Sequence, residues 1–182
     1  MAAEPQQPAT GTHDGVRRPE PLTGWQRAVA RLPIHAYRLG LGPLFGNRLL
    51  LLVHTGRRSG APRRVVIEVV AHDPEHRTWT VASGFGPRAQ WYQNLRHTPR
   101  ATIQTGRRYR AVTAHFLSPE EGGEVMAAYA PRHPRAARVL CGYMGFETDG
   151  TTESFRAAGR RIPFVRLKEC DQAERWRDDA QP

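Results

Sequence analysis

The densest concentration of chemistry in this 182-residue chain is the stretch HTGRRSGAPRRVV, residues 54–66. Arg57, Arg58, Arg63 and Arg64 there stand among Gly56, Ser59, Gly60 and Pro62. Glycine lets a backbone turn tightly and approach a ligand closely, and a guanidinium presents a rigid fork of donors that matches phosphate or carboxylate oxygens. The combination is that of an anion cradle, although a solvated basic hairpin loop has the same composition. It is not the phosphate loop of a nucleotide-triphosphatase: the lysine is missing, and the residues after Pro62 alternate like a strand instead of opening a helix.

A second glycine-bearing turn, ASGFG at residues 82–86, puts Ala82, Ser83 and Gly84 between a strand and a helix, where backbone could lie against a flat ring or merely connect two elements. Trp91, Tyr92 and Asn94 read as core and cap residues of that helix. Glu68 breaks a pattern. In RRVVIEVV, Val65, Ile67 and Val69 share one strand face, whereas Val66, Glu68 and Val70 share the other, so a carboxylate interrupts an apolar face. Either that face is half solvated or Glu68 looks into a pocket that wants a carboxylate. The histidines and acids of HDPEH, residues 72–76, read as a hairpin turn, not a metal site. No Ser/His/Asp or Cys/His set assembles, and no metal ligands are assigned.

These residues need a scaffold. Strands are expected over 48–55, 63–71, 77–83, 100–105, 108–117 and 162–168, with helices from Gly24 to about Leu39, over 88–97, from Ser118, after Pro131 and near 151–159. Ser118-Pro119-Glu120-Glu121 is a helix start: a serine cap, proline at the first position and acids in the first turn. Short antiparallel strands with helices between hairpins predict one α+β domain, an antiparallel barrel decorated by helices, over residues 24–169. Residues 1–23 are expected to be a polar, disordered leader, and 170–182 a mobile tail.

The formal charge of +10, from 27 basic and 17 acidic residues, implies an anionic partner of some kind. Two cysteines are too few for a disulfide framework and fit a reducing cytoplasm. The longest apolar run, Leu49–Val53, is far too short to span a bilayer. Arginines grouped in turns, with no aromatic interleaving, argue against a nucleic-acid-binding module.

Four segments stand in order: TGRRSGAPR (55–63) after an apolar strand, VASGFG (81–86), WYQNLRHTPR (91–100) and a closing IPFVRL (162–167). Together they resemble the deazaflavin-dependent nitroreductase family, over about residues 30–168. The resemblance implies a split β-barrel related to flavin mononucleotide-binding oxidases, and use of the deazaflavin coenzyme F(420). It implies that Arg57, Arg58, Ser59, Gly60 and Arg63 grip the coenzyme's anionic tail. Val65, Val66, Ala82, Ser83 and Gly84 would border its ring system, and Trp91 would support the far end of the site. The chain departs from the pattern after Ser83, where nitroreductases of this kind often carry lysine: here Gly84 and Phe85 come next, and Arg88 is the nearest replacement. Substrate-side tyrosines have no aligned match, with Tyr143, Phe146 and Phe155 the aromatic residues of that region.

The implied reaction is hydride transfer from the reduced coenzyme to an enone, quinone or nitro compound, with Glu68, Tyr92 or a water on Ser83 as candidate proton donors. Its alternatives are a split barrel that binds flavin mononucleotide or haem, and a carrier that holds the deazaflavin without catalysis. A small-molecule substrate is expected, with peripheral membrane contact and a homodimer as open partners.

Overall fold

A computed structural model describes residues 48–170. The expected helix from Gly24, the leader and most of the tail lie outside the described residues.

Six strands form because apolar side chains alternate along short segments bounded by glycine, proline and aspartate turns. They are β1 Leu49–Thr55, β2 Pro62–Asp73, β3 Thr78–Ala82, β4 Arg100–Thr105, β5 Arg108–Phe116 and β6 Phe164–Glu169. All neighbours pair antiparallel, and the sheet closes into a barrel in the order β1-β2-β3-β6-β5-β4. This is the α+β split-barrel arrangement, and its strands begin and end within about two residues of the sequence expectations. The pairings β1–β4 and β3–β6–β5 close the barrel over long stretches of chain, and closure removes the exposed edges of an open sheet.

The interior is filled from every strand, with Leu50, Leu52, Ile67, Val81, Ile103, Val112, Val165 and Leu167 at its centre. A register shift between Val69 and Ala71 leaves Val69 against this core and Val70 on the opposite side, in a second core under the helices.

Four helices complete the described fold: α1 Gln90–His97, α2 Pro119–Arg132, α3 Pro134–Tyr143 and α4 Thr152–Gly159. The predicted start of α2 is a full capping box. The Glu121 N–H donates to Ser118 Oγ at 3.2 Å, and the Ser118 N–H donates to Glu121 Oε2 at 3.0 Å. Helices α2 and α4 cross at two glycines whose backbones touch, since a Cβ on Gly159 would lie 2.5 Å from the Gly122 carbonyl oxygen and 2.7 Å from Met126 Cβ. Their apolar faces, with Met126, Tyr129, Ala158 and Phe155, cover Val70 and Phe164 outside the barrel.

Antiparallel order carries the ends of β1, β3 and β5 and the starts of β2, β4 and β6 to one rim. The arginine turn, the second glycine turn and α1 therefore meet at the same end of the barrel. No helix among the described residues is long and apolar enough to cross a membrane.

Candidate functional site

The arginine turn is a self-closed loop. The Gly56 N–H donates to the Ala61 carbonyl at 2.9 Å, and the Ser59 and Gly60 N–H groups donate to the Gly56 carbonyl at 3.1 and 2.8 Å. Gly60 takes a φ of 65°, a left-handed value that glycine adopts without strain. Closed by these bonds, the loop presents Arg58, Ser59 and Arg63 to solvent. Among the described residues no carboxylate pairs with Arg58, Arg63 or Arg64, so a cluster of positive charge stands uncompensated at this rim.

Arg57 behaves differently from its neighbours. Its guanidinium turns back onto α1, where Nη1 donates to Gln90 Oε1 and Asn94 Oδ1, both at 3.0 Å, while its backbone N–H donates to the same Asn94 oxygen at 3.2 Å. Asn94 is buried, and its Nδ2 lies 3.1 Å from Nδ1 of the buried His54 on β1. With Asn94 Oδ1 already accepting from Arg57, its amide nitrogen must be the donor to His54, whose Nδ1 is then unprotonated. Burial, with the nearby Arg63 charge adding to it, holds the His54 pKa below the usual histidine value despite an opposing hydrogen bond with the Thr55 backbone.

The second turn is built on Ser83, which is fully buried. Its N–H donates to the Pro163 carbonyl at 2.9 Å, its hydroxyl donates to the Gly86 carbonyl at 2.7 Å, and its own carbonyl accepts from Gly86 N at 2.8 Å. Ser83 is thereby committed to the turn itself, and Gly84 is what the turn displays. A Cβ there would lie 3.5 Å from the Tyr143 ring, and Tyr143 meets Phe85 edge to face at 5.5 Å. Both rings are partly solvent-exposed, an aromatic pair beside the glycine. Arg88 is exposed at the end of the short 3-10 turn Gly86–Arg88.

The other expected residues divide by strand face. Val65 packs against the barrel core and Val66 faces outward, both half-buried, with Ala82 half-buried at the end of β3. Trp91 is buried in the core with Leu95, and Tyr92 packs its ring against Trp91 and, at 5.0 Å, against Phe116 of β5.

Glu68 lies on the outer face of β2, on the same side as Val66. Its Oε1 accepts from the Tyr129 hydroxyl at 3.1 Å and from Arg48 Nη2 at 3.2 Å. The side chain keeps 44% of its surface exposed, which matches the half-solvated alternative, yet the carboxylate is held by a partner on α2. Burial, and then the neighbouring Glu68 charge, push the Tyr129 hydroxyl up to about 12, so it stays protonated across the physiological range. His133 tilts against the Tyr129 ring at 5.0 Å. Tyr92 sits over β5, on the opposite side of the six-stranded barrel from β2, so the two candidate proton donors are not brought together.

Three functional-site features escaped the sequence reading: the His54–Asn94–Arg57 chain, the Tyr129 partner of Glu68 and the Tyr143–Phe85 pair beside Gly84. The first left a trace, since His54 comes after Leu50 and Leu52 on the inward face of β1 and interrupts it as Glu68 interrupts the outward face of β2, and of the third only the separate residues Gly84, Phe85 and Tyr143 stood out, not their contact.

A family model for the F420H(2)-dependent quinone reductase matches residues 30–138, more than half of the chain. Among solved structures, an F420-H2 dependent reductase is 22% identical, with 68% of this chain and 96% of that chain covered at a TM-score of 0.48. A pyridoxamine 5'-phosphate oxidase-related, FMN binding protein from Nostoc punctiforme is 15% identical, with 81% of each chain covered at a TM-score of 0.48. No curated protein matches. The chain belongs to the F420H(2)-dependent quinone reductase family, and is an oxidoreductase that uses coenzyme F420.

Proposed function

We propose that the arginine turn holds the anionic tail of the coenzyme and that the chain reduces an electron-poor small molecule, a quinone first, with enones and nitro compounds as further acceptors. The observation that carries the assignment is the set of exposed guanidinium groups on Arg58 and Arg63. They flank Ser59 and Gly60 in a turn closed by its own backbone hydrogen bonds, and no carboxylate among the described residues neutralises them. Such donors fit phosphate and carboxylate oxygens, and binding a polyanion relieves their mutual repulsion.

In this reading Arg58, Arg63 and Ser59 hold the tail, while Arg57 fixes the turn to α1. Val66, Ala82 and Gly84 border the ring system, with Arg88 in place of the lysine that the resemblance leads one to expect; Val65, Ser83 and Trp91 support those positions from within. When bound, the reduced deazaflavin supplies a hydride, which explains why no nucleophile or metal set is needed. The protein's share is position, exclusion of water and a proton. On the outer face of β2 the Tyr129 hydroxyl carries the proton and the half-exposed Glu68 carboxylate orients it and links it to solvent, while Tyr92 braces α1 against Phe116.

The test is steady-state oxidation of the reduced coenzyme by a panel of quinones, enones and nitroarenes. Acceptor-dependent turnover with at least one class, fastest with quinones, is the expected result. Coenzyme that binds and is never oxidised by any acceptor would instead make the chain a carrier.

A further inference from the structure

We infer that Asn94 and His54 are positioning residues, a buried relay that sets the arginine turn for its anionic ligand and that works only while the His54 ring is neutral. The inference rests on the assignment of that turn to the coenzyme tail.

The relay has one consistent hydrogen-bond assignment. Asn94 Oδ1 accepts twice from Arg57, once from the backbone N–H and once from the guanidinium, and so ties the first residue after Gly56 to α1. The Asn94 amide nitrogen is left to donate to His54 Nδ1. A lone buried asparagine could rotate its amide by half a turn at little cost. Here such a rotation would point its NH2 group at the two Arg57 donors. The unprotonated His54 nitrogen, by taking the NH2 group, decides which way the amide faces. One side chain, Asn94, thus joins the barrel interior to the rim.

Protonation of His54 would place an N–H against the Asn94 NH2. Either that contact breaks or the amide turns over and faces its NH2 towards Arg57, and in both cases the turn loses its anchor. Of the neighbours of His54, Arg63 faces it from β2 and Arg57 reaches it through Asn94, while Ala101 on β4 and Asn94 itself carry no charge. No carboxylate among these neighbours favours the charged ring, and the hydrogen bond with the Thr55 backbone, which does, is outweighed by burial. An added positive charge acting by simple attraction would tighten anion binding in acid, whereas loss of the relay weakens it. The sign of the pH dependence therefore separates the two.

The experiment has two parts. In the ligand-free wild-type chain, nitrogen NMR of the histidine ring reads the tautomer and its titration; the relay requires the proton on Nε2 and titration below the ordinary histidine value. In the second part the affinity for coenzyme F420 is measured by fluorescence above and below the wild-type titration, for wild type, His54→Asn and Asn94→Leu, with circular dichroism to verify folding. Asparagine at 54 offers an acceptor near the Nδ1 position that cannot titrate. Expected are a loss of about tenfold for wild type on the acid side, consistent with one lost hydrogen bond to a charged group, a pH-independent affinity for His54→Asn relative to wild type, and weak binding by Asn94→Leu at both pH values. Should Asn94→Leu misfold, His54→Asn still decides the matter. A proton on Nδ1, wild-type binding that tightens in acid, or an acid loss in His54→Asn as large as in wild type overturns the relay. If Arg58→Ala and Arg63→Ala lose affinity while Asn94→Leu does not, the turn binds the anion without the relay. Failure of the folded wild-type chain to bind the coenzyme at all refutes the assignment of the turn and the relay's role with it.

Discussion

Arg57, Arg58 and Arg63 of the arginine turn should separate cleanly by variant, because only Arg57 is bonded within the fold. Arg58 and Arg63 are exposed and form no ion pair among the described residues, so replacing either with alanine removes a contact to the ligand and no hydrogen bond or ion pair from the protein. A hydrogen bond to a charged group contributes about 1.5–3 kcal/mol, which is about a tenfold to a hundredfold loss of affinity. The same substitutions should leave stability within about 0.5 kcal/mol, as is usual for exposed positions. Arg57→Ala instead removes the two side-chain hydrogen bonds to Gln90 and Asn94. The Asn94 oxygen keeps the backbone N–H of residue 57, so no buried acceptor is orphaned, and the cost falls at about 1–2 kcal/mol, or a Tm lower by roughly 5 °C. Binding should fall as well, since the turn loses part of its attachment. Coenzyme fluorescence titration and thermal unfolding of all three variants are the assays. Wild-type affinity in both Arg58→Ala and Arg63→Ala, or a Tm unchanged in Arg57→Ala and lowered in the other two, would refute this division of labour.

Other outcomes rest on the same geometry. Glu68→Gln should lower kcat with a quinone at least several-fold while leaving coenzyme affinity within about twofold, since an amide keeps the shape and removes the charge and the capacity to pass a proton; a fall in coenzyme affinity alone would put the carboxylate in a binding role. Gly159→Ala should destabilise the fold by about 2 kcal/mol or more, because its Cβ would lie 2.5 Å from a backbone carbonyl of α2 that cannot yield; a Tm within about 1 °C of wild type would contradict the crossing. Below the unfolded histidine value of 6.5, stability should decline as pH falls, because the unfolded chain protonates His54 before the folded one does; a denaturation series at decreasing pH should lose this component in His54→Asn, and an identical slope in the variant would exclude it.

Strand positions were legible in the sequence because each half-buried strand writes its alternation locally, and the start of α2 was legible because Ser118, Pro119 and Glu121 carry their own cap. The arginine turn was legible for a similar reason, since its glycines and proline name a hairpin and its arginines stand outside any core pattern. What was hidden depends on pairs distant in sequence. His54 and Asn94 meet only because β1 and α1 share a barrel rim, and Asn94 by itself reads as an ordinary helix residue. Tyr129 reaches Glu68 across 61 positions, a contact set by the crossing of α2 over β2. Gly122 and Gly159 are by type helix-weakening residues, and only the contact of the two backbones shows why they stand there. Arg57 is indistinguishable from its neighbours in the sequence, which gives residue type and spacing but not the direction in which a side chain turns.

The measurement that tests the central claim most directly is a titration of the purified chain with coenzyme F420 beside flavin mononucleotide and a nicotinamide cofactor. Saturable quenching of the deazaflavin's fluorescence, weakened by Arg58→Ala and Arg63→Ala and not competed by the other two cofactors, is the result predicted. Tight binding of flavin mononucleotide without binding of the deazaflavin, or deazaflavin affinity indifferent to both arginines, would contradict it.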